Sequence, residues 1–187
     1  GCYGLSGRPL VVLDYVGRQY GWDKISTILT YNNYNLTDER LLNFMPRLKK
    51  YEIGIMQGGV TLLGLLTPQG PQPWNTAPDI IKERCTEAIK IVKERTKGND
   101  LEKELSILRL SFLHCMDNIN IHSCLVGPTS PEQLANNVKW IKDEQIDKIY
   151  HGDYLNDDDK ELIEDLQHGV FADIMNIGEI EDGTQYN

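Results

Sequence analysis

A chain of 187 residues, 40% hydrophobic and 25% charged, is long enough to bury one sizeable core. Its formal net charge of −9 argues against a surface built for nucleic-acid phosphates, and no run reaches the roughly eighteen apolar residues of a membrane span. Cys2, Cys85, Cys115 and Cys124 show no paired spacing and no clustering with the four histidines, so they read as free thiols, and no metal site is expected. Free thiols point to a reducing intracellular compartment, the cytoplasm first, with organelle import left open. The first residue is Gly and no signal peptide is recognisable, which reads as a processed product or part of a longer polypeptide. Asn35-Leu36-Thr37 matches a glycosylation sequon but reads as a chance match.

Along the chain, short apolar runs alternate with segments of helical period. Cys2 to Leu5 is a strand candidate, followed by a helix from Pro9 on Leu10, Leu13 and Val16 or Gly17, with Gly21 as its stop. Ile25 to Tyr31 is the second strand. Asp38 is placed to cap a helix whose Leu41, Phe44, Met45 and Leu48 recur at helical spacing. Ile53 to Met56 is the third strand and runs into Gln57-Gly58-Gly59. A loop with four prolines follows, in which Trp74 reads as an anchor.

A helix is expected from about Pro78 to Lys97 on Ile81, Cys85, Ala88, Ile89 and Val92. Beyond Gly98-Asn99-Asp100, a second runs from Leu101 to His114 on Leu101, Leu105, Leu108 and Phe112. Ile121 to Val126 is the fourth strand, carrying His122 as a hydrogen-bonded structural histidine. Ser130, Pro131 and Gln133 then form a capping-box helix start, with Leu134, Val138 and Ile141 expected in the core. The run Asp157-Asp158-Asp159 reads as the start of a last helix ending near Gln167. An irregular tail is expected after Gly169, carrying Glu179, Glu181 and Asp182 as a solvated acidic end.

Four strand-then-helix units predict a parallel α/β sheet, about half of a closed (β/α)8 barrel of about 250 residues. Open edges on such a sheet attract other chains, so either a missing half of the barrel or a protein partner is expected to cover them. The turn Gly127-Pro128-Thr129-Ser130 aims a helix start at the end of a strand, either as an ordinary connection or as a pocket for an anion.

The segments "GCYGLSGRPL", "TYNNYNLTDERLLNFMPRLKKYEIGIMQGGVTLLGLLTPQGPQPWNTAP" and "CLVGPTSPEQLANNV" resemble the second half of an aldo-keto reductase of the L-galactose dehydrogenase-like branch. The resemblance runs from about Cys2 to Ile141, and more loosely to Gln167. It implies that residues 1–142 hold strands 5–8 of a (β/α)8 barrel with their helices, and that 143–187 form an acidic helix and tail. It also implies a dinucleotide, NAD(P), lying across the carboxyl face. Ser6 would hold the nicotinamide carboxamide, and Gln57, Gly58 and Gly59 would pack under the ring. Gly127, Thr129 and Ser130 would receive a phosphate, with Gln133 and Asn137 on the adenosine side. NAD is favoured over NADP because no Lys or Arg lies between Gly127 and Asn137.

Departures from the family pattern bear on activity. The usual Ser-Pro-Leu after the third strand is Gly59-Val60-Thr61, the often aromatic stacking position is Gly58, and Leu29 or Thr30 occupies the neighbourhood of the usual Gln on the second strand. The family's catalytic Asp, Tyr, Lys and His belong to the other half of its barrel, so no catalytic residue is assigned here. Two readings stand. One is the cofactor-binding half of an NAD(P)-dependent sugar or aldehyde oxidoreductase, inactive as this chain alone. The other is a truncated, inactive relative serving as a structural or accessory subunit, with no cofactor bound.

Overall fold

A computed structural model describes residues 4–7, 10–142 and 152–177, the first of these segments as backbone alone. Strands β1 (Gly4–Gly7), β2 (Thr27–Tyr31), β3 (Gly54–Gly58) and β4 (Ser123–Leu125) form one parallel sheet in the order β1-β2-β3-β4. Helix α1 (Leu10–Tyr20) follows β1, and α2 (Met45–Lys50) follows β2. Two helices, α3 (Asp79–Arg95) and α4 (Asp100–Asp117), follow β3, and α5 (Pro131–Lys142) follows β4. This is four consecutive strand–helix units, part of a (β/α)8 barrel. Helix α6 (Asp157–His168) closes the described order.

The sheet has two unlike faces. Ile28, Thr30, Ile55 and Gln57 are buried beneath the helices, where Ile28 and Ile55 join Leu13, Leu41 and Leu48 in one core. The alternate residues, Thr27, Leu29, Tyr31, Met56 and Ser123, are only half-buried, and Leu125 is exposed. Parallel strands are ordinarily covered on both sides. Among the described residues one side is sealed and the other is only half-covered.

Several elements differ from the sequence reading. The first strand lies later than Cys2–Leu5, over Gly4–Gly7; Cys2 and Pro9 fall outside the described residues. Asp38 caps no α-helix. Its carboxylate accepts the Arg40 N–H and pairs with the Arg40 guanidinium at 2.7 Å, while Arg40–Phe44 forms a 3-10 turn. Pro46 has no N–H to carry an α-ladder back into that turn, so the regular helix begins at Met45.

On α4 the buried side is Ile107, Leu110, Phe112 and Leu113, while Leu101 is 63% exposed. Ser106 and Ser111 bury without penalty because their hydroxyls donate to the carbonyls of Lys103 and Ile107. On α5, Leu134 and Val138 are exposed, while Trp140 and Ile141 pack against the core. Nothing among the described residues covers the first pair.

Beyond Gly169 the chain is irregular as expected, running in turns, but as far as Ile174 it is packed rather than loose. Phe171 and Ile174 are buried with Leu36, Leu65 and Leu113, in the same core as Leu162 and Leu166 of α6. Asn156 caps α6 by accepting the Asp159 N–H at 2.8 Å, so the aspartate run does open a helix. Its acids are not all solvated, because Arg109 meets both oxygens of Asp159 at 3.0 Å. Glu179, Glu181 and Asp182 lie outside the described residues.

Candidate functional site

Parallel register brings the ends of the four strands to one side of the molecule. Ser6 pairs with Leu29, Gln57 with Cys124, and Gly58 with both Tyr31 and Leu125. Gly59 leaves the end of β3, and Gly127 to Ser130 leave the end of β4 beside it. Ser6, Gln57 to Gly59 and Gly127 to Ser130 are thus collected at one carboxyl edge. Asn137 lies two turns along α5, about 10 Å from the helix start, and is half-buried.

The residues differ in what they present. Gln57 is fully buried on the sealed face, where its Nε2 donates to the Tyr34 carbonyl at 2.9 Å and to the Gly58 carbonyl at 2.8 Å. Its Oε1 has no donor among the described residues. Gln57 therefore acts on the open side only through the backbone it holds. Gly58 lies on the open face, against the Tyr31 ring: a Cβ at Gly58 would come within 3.1 Å of Tyr31 Cδ2.

Gly59 has φ +77, and a Cβ there would collide with Asn32 Oδ1. Glycine is needed on both counts. Beyond it Leu62, Leu63 and Gly64 are all left-handed, with φ of 51, 56 and 84, so the loop coils tightly before entering the core at Leu65.

At the end of β4 the helix start is closed on itself. Gln133 N–H donates to Ser130 Oγ at 3.2 Å, and Gln133 Oε1 accepts from Thr129 N–H at 2.7 Å. This is a capping box shifted by one residue, with Thr129 in place of the cap's own amide. Pro131 has no N–H to offer. The Glu132 carboxyl is held below its usual range by its own backbone N–H and by the Ser130 hydroxyl. A carboxylate of the protein thus already sits where an incoming anion would. A Cβ at Gly127 would meet nothing within 4 Å, so the turn borders open space.

Sequence reasoning passed over Tyr31, Asn32 and Asn75 here. Tyr31 and Asn32 belong to the run "TYNNYN", whose density of Asn is the signal that its side chains serve turns. Asn32 is left-handed with φ 58, and its buried Oδ1 has no donor. Asn35 is enclosed too: its Oδ1 accepts from both the N–H and the hydroxyl of Thr37. The sequon is therefore inaccessible in the folded chain. In the Pro-rich loop Trp74 is 66% exposed and anchors nothing; the anchor is Asn75, which donates to the Leu63 carbonyl and accepts from Ala77 N–H. His122 is structural, its Nδ1 accepting the Ile55 N–H at 3.0 Å.

Among the described residues Cys85, Cys115 and Cys124 are free thiols, and burial pushes the Cys85 thiol up to about 12. No described helix is long and apolar enough to cross a membrane.

Comparison with known proteins places this geometry. No protein-family model matches the chain. L-galactose dehydrogenase of Arabidopsis thaliana is 31% identical over 138 residues, 74% of this chain and 41% of that protein. The holo form of an aldo-keto reductase from Bacillus halodurans superposes with a TM-score of 0.53 at 19% identity, over 88% of this chain and 49% of its own. Its apo form gives 0.52, with 50% of its own chain covered. At that identity the two structures speak for the fold. The chain spans about half the length, or less, of these relatives.

Proposed function

We propose, given that the chain is an aldo-keto reductase relative spanning part of the barrel, that it forms the cofactor-binding portion of an NAD(P)-dependent oxidoreductase acting on a sugar or aldehyde. The observation that carries this reading is the one-sided sheet. A sealed face fixes the backbone of β2 and β3 from behind, while the half-covered face carries the glycine end of β3 at the carboxyl edge. Ligands of parallel α/β folds lie at that edge.

Four further barrel units would cover the open face and the exposed pair Leu134 and Val138 on α5. They would also bring the acid–base groups, for which this chain has no counterpart. A nicotinamide dinucleotide, when bound, supplies the redox chemistry. The chain's own residues position it. Gln57 holds the carbonyls of Tyr34 and Gly58, which fixes the bare strand end at Gly58-Gly59. Ser6 lies at the end of β1, two strands away in the sheet.

The residues fit such a group well at the ring end. At the phosphate end they fit once the Glu132 carboxylate turns outward. Gly127 leaves room for close approach, and Thr129, Ser130, Gln133 and Asn137 offer neutral hydrogen bonds. With no cation among residues 127–137, a 2′-phosphate finds no charged partner there, so NAD is preferred to NADP.

A second reading, an accessory subunit without cofactor, draws on that same self-closed helix start. Titration calorimetry on the native polypeptide with NAD and with NADP decides between them. Tighter binding of NAD is expected. Tighter binding of NADP would overturn the preference, and binding of neither would favour the accessory subunit.

A further inference from the structure

A groove of about 1460 Å³ lies between α1, the 3-10 turn with helix α2, and the start of α3. Arg18, Arg40, Arg47 and Lys50 line it, with Asp14 as the one carboxylate among the described lining residues. Asp14 is shared between Arg18 and Arg47, and Arg40 is paired with Asp38. Lys50 pairs with no carboxylate among the described residues and rests 5.3 Å from the Tyr51 ring centroid. Two positive charges are therefore left over in this groove, on a chain whose net charge is −9. Between the charges the wall is largely apolar, with buried Trp22 and Ile81 and half-buried Phe44 among its residues.

The late part of the chain leads into the same groove. Asn176 N–H donates to the Thr37 carbonyl at 2.9 Å, and its Oδ1 accepts the Glu39 N–H at 2.8 Å. Ile177 then lines the groove and is 59% exposed. The sequence continues as Gly178-Glu179-Ile180-Glu181-Asp182, an aliphatic side chain set among three acids. Five extended residues reach about 17 Å. Helix α1 has 11 residues and is about 16 Å long, so that reach spans the groove.

We propose that residues 179–182 of this chain, which lie outside the described residues, dock in this groove. Ile180 meets the apolar wall and the acids face Arg47 and Lys50. The alternative is the solvated acidic end expected from composition. Exposed charge pairs contribute little by themselves, so the aliphatic side chain separates docking from mere attraction. The cofactor reading plays no part in this proposal.

Carbodiimide cross-linking of the native polypeptide, read by peptide mass spectrometry, tests this, because the reagent joins an amine to a touching carboxylate without a spacer. A link from Lys50 to Glu179, Glu181 or Asp182 is expected, formed within one molecule. Ile180→Ser keeps every charge and the tether, and should lower the yield of that link roughly threefold or more. High salt should lower it as well, because the charges are screened. Absence of a Lys50 link, or an unchanged yield in Ile180→Ser, would mean a segment tethered nearby but not docked, and would overturn the proposal. A yield undiminished by high salt would overturn the charge pairing on which it rests. Links formed only between isotopically labelled and unlabelled copies would put the segment in a neighbouring molecule's groove and overturn it too.

Discussion

The imidazole of His114 lies flat on the ring of Tyr34, with centroids 4.9 Å apart and planes 13° from parallel. The stack is buried between β2's exit loop and α4. Among the described residues His114 Nε2 has no hydrogen-bond partner, and a Glu39 carboxylate oxygen lies 3.9 Å away. Burial lowers the His114 pKa to about 4, with Asp117 opposing weakly, so the ring is neutral at pH 7. The same burial raises the Tyr34 hydroxyl to about 12.

A pH dependence follows from this. Glu39, Asp117, Lys160 and Glu164 are the charged groups around the stack. An unfolded chain takes up a proton on His114 as pH falls through its ordinary value of 6.5, whereas the folded chain resists until about 4. The neutral ring's contribution is full above pH 6.5 and is lost between 6.5 and 4, up to about 3 kcal/mol. Urea unfolding midpoints measured from pH 7 to 4.5 should fall more steeply for the wild type than for His114→Phe, which keeps the stack. Parallel slopes would count against a neutral buried histidine.

The acids of α6 should divide by burial. Asp159 is 14% exposed and both its oxygens accept from Arg109 Nη1, while Asp158 is 82% exposed and meets Lys97 at 3.2 Å. Asp159→Ala removes one charged partner of the half-buried Arg109 guanidinium and is expected to cost about 1–2 kcal/mol in chemical denaturation. Asp158→Ala should change nothing measurable, because an exposed pair is screened by solvent. Equal effects would show that α6 docks through its apolar face alone.

Two glycines at the carboxyl edge should respond in opposite ways. Gly59→Ala meets both a left-handed backbone and Asn32 Oδ1, and should lose at least about 1–2 kcal/mol of stability. Gly127→Ala has open space and no strained φ, so its melting temperature should stay near the wild type's. Any loss of dinucleotide affinity in Gly127→Ala would then report close approach of a ligand to that backbone.

Glu132→Gln should strengthen dinucleotide binding by roughly two- to fivefold, since it removes a negative charge from the positive end of α5. Calorimetry checks it, and the gain should shrink in high salt. Unchanged or weaker binding would place the phosphates away from this helix start.

How much of this was legible depended on whether a residue's partner lay nearby in sequence. β-branched runs and helical stripes gave β2, β3 and α3 to within a few residues, because Ile28, Ile55, Ile81, Cys85 and Ala88 bury by simple period. The α4 face was misjudged because that helix packs against α3, α5 and β4, and its buried polar groups, Ser111 among them, bond to their own backbone. The collection of candidate residues at one edge could be read from strand order and the family resemblance. Gln57 facing the sealed side, Glu132 closing the helix start and Tyr31 lying over Gly58 could not. Each is set by neighbours on another strand or by rotamers that composition does not encode. Phe171 and Ile174 were missed because they are buried from turns, which carry no period.

Those late residues have a consequence for synthesis. Asn176 N–H donates to the Thr37 carbonyl at 2.9 Å, and Asn176 Oδ1 accepts the Glu39 N–H at 2.8 Å. Phe171 fills the core beside Leu36. The loop leaving β2 is therefore finished by residues made more than a hundred positions later. On the ribosome, Leu36 and its neighbours must wait until that stretch has cleared the exit tunnel. The β1 and β2 units emerge with one side of their packing still missing, and contacts of such long sequence separation form slowly.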